Sequence, residues 1–66
     1  MDVTSMEMAI ARAGRAKNEL AQAIGLSSTA FWNKIRGTTE FKVSEIRALK
    51  EELGLTGDEI NQIFFS

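Results

Sequence analysis

The stretch GLSSTAFWNKIRG, residues 25–37, concentrates side chains that can recognise a partner: the hydroxyls of Ser27, Ser28 and Thr29, the amide of Asn33, the indole of Trp32 and the cations Lys34 and Arg36. Hydroxyls and amides donate and accept hydrogen bonds, cations meet anions, and an indole offers a broad apolar face with one N–H donor. That is the chemistry of non-covalent recognition. Reaction chemistry is poorly supplied, because the 66-residue chain has no cysteine and no histidine. Disulfides, soft metal ligands and the commonest general acid–base group are thereby removed. So short a chain also leaves little room for a deep pocket. The expectation is a binding protein, not an enzyme, with neither cofactor nor metal.

These residues need elements to hold them. The chain lacks proline and is rich in Ala, Leu, Glu and Lys, which favours an all-α fold. Thr4-Ser-Met-Glu7 has the form of a capping box, opening a first helix with Met6, Ala9, Ile10 and Ala13 on one face and an end near Gly14. A second helix, residues 17–24, turns Leu20, Ala21 and Ile24 inward and stops at Gly25. Ser27 is the natural N-cap of a third, residues 28–36, closed by Gly37. On it Phe31 and Ile35 share a face, so Ser28, Thr29, Trp32, Asn33 and Arg36 look outward. TTEFKV is a connection without helical period. A fourth helix spans about 44–53, carries Ile46, Leu49 and Leu53, and stops at Gly54. Thr56-Gly-Asp-Glu59 is a second capping box for a fifth helix with Ile60, Ile63 and Phe64 inward. Residues 1–66 read as a single compact domain without repeats or linkers.

The net charge of −1 and the acidic pI argue mildly against a polyanionic partner, but the charge is unevenly distributed. Residues 1–11 carry −2, residues 12–42 carry +4 and residues 43–66 carry −3. A basic middle between acidic ends can present a local positive face. No segment reads as a signal peptide, and no apolar run approaches the ~20 residues of a membrane span, so a cytoplasmic location is expected.

Within residues 17–36, Ala21 stands where two helices would cross closely and Gly25 where a tight turn needs positive φ, with Leu20, Ile24, Leu26 and Phe31 as apolar filling. KNELAQAIGLSSTAFWNKIRG, an extended connection and VSEIRALKEELGLTGDEINQIFF together resemble the Cro/repressor-type helix-turn-helix regulators of temperate phages. The resemblance is to the short Cro-like or antirepressor proteins of phages of Gram-positive bacteria, and it covers nearly the whole chain. It implies a five-helix, lambda-repressor-like domain whose third helix enters the major groove of double-stranded operator DNA. Family members commonly act as dimers on palindromic operators within a lysis–lysogeny switch, so a homodimer is implied too. Two positions depart from the pattern: Ala16 stands where relatives often carry a Ser or Thr cap, and Lys34 where they are often apolar.

By this resemblance Ser28, Thr29 and Asn33 match base-facing positions, alongside the Ser27 cap. An Asn can pair bidentately with an adenine edge, and hydroxyls suit a base or a phosphate. Lys17, at the start of the second helix, together with Lys34, Arg36 and Lys42, forms the expected phosphate-contact line, against the plain alternative of solvated surface cations. Trp32 has three homes open to it: packing along the domain edge, lying in a groove against sugars or thymine methyls, or anchoring a protein. Phe64 continues the inward stripe, whereas Phe65 covers either the core or a dimer seam.

The leading expectation is a sequence-specific transcriptional regulator of a phage genetic switch. The alternative is an antirepressor that binds a phage repressor protein through Trp32 and Phe65 and blocks its DNA contacts. Acidic fourth and fifth helices would suit the basic face of such a partner.

Overall fold

The computed structural model describes residues 1–65. They form five helices: α1 (Val3–Ala13), α2 (Lys17–Ala23), α3 (Ser28–Ile35), α4 (Val43–Leu53) and α5 (Gly57–Phe64), with no strand among the described residues. None of these helices is long and apolar enough to cross a membrane.

Each helix start has a chemical cause, and one differs from expectation. α1 is capped by Asp2, not by Thr4: Asp2 is extended and its Oδ1 accepts the Ser5 N–H at 3.0 Å. A carboxylate two residues upstream serves the unpaired amides of the first turn, so Thr4 falls inside the helix. Ser27 Oγ accepts the Ala30 N–H at 3.1 Å and caps α3. The box at α5 is reciprocal, with Thr56 Oγ1 accepting the Glu59 N–H and Glu59 Oε1 accepting the Thr56 N–H. α4 begins one residue before the expected Ser44, because Glu45 Oε1 accepts the Lys42 N–H at 2.8 Å and fixes the start there. Neither Ala16 of α2 nor Lys42 of α4 caps its helix through its own side chain.

The helix ends follow one pattern. Gly25 has φ +81°, and beyond it the Leu26 N–H donates to the Ala21 carbonyl at 2.8 Å. This closes α2, which ends at Ala23 with Ile24 as its cap, and reverses the chain within four residues into α3. The same six-to-one bond recurs after α1, α3 and α4, donated by Arg15, Thr38 and Leu55.

Amphipathic faces then close on one core. Met6, Ala9 and Ile10 of α1 meet Leu20 and Ala21 of α2, Phe31 and Ile35 of α3, Leu49 and Leu53 of α4, then Leu55 and Ile63. α2 packs on α3, α4 on both α1 and α2, and α5 on α1. The Asp2 N–H donates to the Ile63 carbonyl at 2.7 Å, tying the start of the described chain to α5. Ala13, expected inside, is exposed, since the face of α1 is spent by Ile10. Ile46 is half-buried, and the buried side of α4 opens instead with a charged residue, Glu45.

The connection between α3 and α4 has a structural role that lack of helical period conceals. Phe41 bridges Phe31 and Phe64 through two edge-to-face contacts, with ring centroids 6.0 and 5.5 Å apart. Such pairs contribute about 0.5–1.5 kcal/mol beyond their buried area. One aromatic in the loop therefore anchors α3 to α5.

Candidate recognition surface on α2 and α3

With Phe31 and Ile35 buried, helical geometry leaves Ser28, Thr29, Trp32 and Asn33 as a stripe on the outer side of α3. Ser28, Thr29 and Trp32 are exposed, Trp32 at 40 %, and Asn33 is half-buried. Ser27 is exposed with its hydroxyl used in capping. The Ser28 hydroxyl donates to Asn18 Oδ1 at 2.9 Å, so the outer sides of α2 and α3 are joined by a polar link. Asn18 carries no sequence signal for this, because the partner lies ten residues away across a turn.

Trp32 is held from above. The Lys17 ammonium lies 4.1 Å from the centre of the indole and 2.7 Å from Glu7 Oε2. Glu7 (α1), Lys17 (α2) and Trp32 (α3) thus form a carboxylate–cation–aromatic stack across three helices. Glu7 Oε1 is shielded from solvent and accepts no hydrogen bond from the described residues.

Asn33 Oδ1 accepts from the Arg36 guanidinium at 2.7 Å. A two-point bond to an adenine edge needs that amide oxygen, so base pairing there requires Arg36 to let go.

Lys34 departs from the expected phosphate line. Its side chain is only 11 % exposed, and its ammonium lies 2.9 Å from Glu45 Oε1 and 3.0 Å from the Glu40 carbonyl. The Phe41 ring lies 6.0 Å away on another side. A lysine stem buries readily when its charge finds a partner, and Glu45 supplies one. Lys34 is therefore a fastener between α3 and α4, facing away from the outer stripe. Burial pushes the Glu45 carboxyl upward, but the Lys42 N–H and the Lys34 ammonium outweigh it and hold the group below its ordinary range.

The basic middle of the sequence is correspondingly subdued. Of its six cations, Arg12 pairs with Glu59, Arg15 with Glu52, Lys17 with Glu7 and Lys34 with Glu45. Arg36 and Lys42 have no carboxylate within ion-pair distance among the described residues. The acidic ends of the chain fold back onto the basic middle, which linear charge counting cannot register.

Phe65 is exposed at 68 %, beside a shallow groove whose floor includes Phe41, Ile46 and Phe64. Comparison with protein-family models, with curated proteins and with solved structures yields no significant match.

Proposed function

We propose that α2, the turn at residues 24–27 and α3 act as a helix-turn-helix, and that the chain is a sequence-specific DNA-binding regulator of the phage Cro/repressor type, working in a bacterial cytoplasm. The observation that carries the reading is the outer stripe of α3, Ser28–Thr29–Trp32–Asn33, presented on a short helix immediately after a tight turn. A helix of this width fits the major groove, where hydroxyl, amide and indole groups at this spacing can meet base edges and thymine methyls. Arg36, at the end of α3, and Lys42, at the start of α4, serve as phosphate contacts.

The experiment is selection from a random duplex library at roughly 50 mM salt, repeated at roughly 200 mM. Enrichment of one motif supports the reading, and a palindromic motif gives the half-site spacing of a dimer. A folded protein that retains no duplex at low salt defeats it.

The ion-paired cations favour one second reading, an antirepressor-type module that binds a repressor protein. Neutralised lysines and arginines weaken phosphate attraction while leaving Trp32 available as an anchor for a protein. Binding to a phage repressor protein, lost on Trp32→Ala, is the outcome that reading expects.

A further inference from the structure

Lys17 is the cation seated on the Trp32 indole, and it is engaged twice. The indole face attracts the ammonium without cancelling its charge, whereas the Glu7 carboxylate cancels it. Removing the carboxylate would leave the cation seated on Trp32 with a whole charge to offer. Of the Glu7 oxygens only Oε2 meets Lys17, while Oε1 is shielded from solvent with no donor among the described residues. A buried, unserved carboxylate oxygen is an energetic cost that asks for a reason.

We infer that Glu7 is an affinity-setting residue: it withholds Lys17 from phosphate, so that the α2–α3 surface binds DNA more weakly and with less salt dependence than its cations would allow. The inference rests on the DNA-binding reading. Its physical content is a competition between one intramolecular carboxylate and one phosphate for a single ammonium. Trp32 fixes the place where the competition occurs.

The test measures binding of a labelled random-sequence duplex between roughly 50 and 200 mM salt by fluorescence anisotropy. The proteins are the full chain, Glu7→Gln, Glu7→Ala, Lys17→Met and Glu7→Gln with Lys17→Met, each checked for helical content. Glu51→Gln, on an exposed site of α4, removes the same net charge elsewhere and is the control. The expected result is severalfold tighter binding by Glu7→Gln and Glu7→Ala, with a log–log salt slope steeper by about 0.9, the increment for one further phosphate contact. The gain disappears in the Lys17→Met background and is absent in Glu51→Gln. An unchanged slope in both Glu7 variants, a gain that survives Lys17→Met, or an equal gain in Glu51→Gln overturns the inference while leaving the DNA reading intact. No binding by any of the proteins overturns both.

Discussion

Trp32 and Asn33 are neighbours on α3, yet they separate the two functional readings. Trp32 offers area and Asn33 offers hydrogen bonds, so loss of each side chain removes a different kind of contact. If α3 reads DNA, Trp32→Ala and Asn33→Ala both weaken binding to a selected duplex, by about 1–3 kcal/mol each. If α3 anchors a protein, Trp32→Ala removes binding and Asn33→Ala leaves it nearly unchanged. Lys34 makes a different prediction, because its work is internal. Lys34→Ala strands the Glu45 carboxylate in a largely buried site and is expected to destabilise the fold by about 3 kcal/mol, measured by urea unfolding. A replacement of both partners, Lys34→Met with Glu45→Gln, recovers part of that loss, since no unpaired charge is left buried. That Lys34 turns inward was not legible from the outward spacing of α3. The pattern Phe31–Ile35 assigns a face, but the long lysine stem reaches around its edge to a carboxylate eleven residues away.

At the scale of the element, capping chemistry governs the response to acid. Asp2, Glu45 and Glu59 each accept a backbone N–H at a helix start. The Ser5 N–H lowers the Asp2 carboxyl below its usual value, and the Thr56 N–H with the Arg12 guanidinium does the same for Glu59. A carboxyl with a depressed folded pKa binds protons less readily folded than unfolded, so its stabilisation is complete above the unfolded value and fades as pH falls through the folded one. Stability is therefore expected to hold from neutrality down to the ordinary carboxylate range of 3.8–4.5 and to fall below it. Thermal unfolding followed by circular dichroism between pH 6 and pH 2.5 checks this, and a midpoint rising with acid would contradict it. The turn before α3 depends on backbone geometry alone. Open space surrounds the position where a Cβ would sit on Gly25, so Gly25→Ala is penalised by its φ of +81° and not by a clash. The expected cost is about 1–2 kcal/mol. Helix existence was readable at this scale because caps and glycine stops act within a few residues. The misassigned cap of α1 shows the limit, since Asp2 and Thr4 offer alternative helix starts two residues apart and only the folded geometry records which is used.

For the whole molecule the decisive quantity is how charge is arranged in space. Four of the six cations in residues 12–42 are neutralised by carboxylates from elsewhere in the chain. If the chain binds DNA through α2 and α3, the log–log salt slope of its non-specific binding is accordingly expected near −2, the contribution of Arg36 and Lys42, the two cations of residues 12–42 without a carboxylate partner among the described residues. A slope of about −5 would mean that the ion pairs open on binding. The sequence by itself determined the number of helices, their boundaries to within two residues and most of the apolar residues that meet in the core, though it missed Leu55 and turned Ala13 inward. These follow from local rules, namely caps, left-handed glycines and the 3.6-residue period. Only the tertiary structure decided that Phe41 joins α3 to α5, that Lys34 and Glu45 fasten α3 to α4, and that Glu7 holds Lys17 against Trp32. Each of these contacts links residues in different elements, and its strength depends on distance and burial, which residue order does not encode.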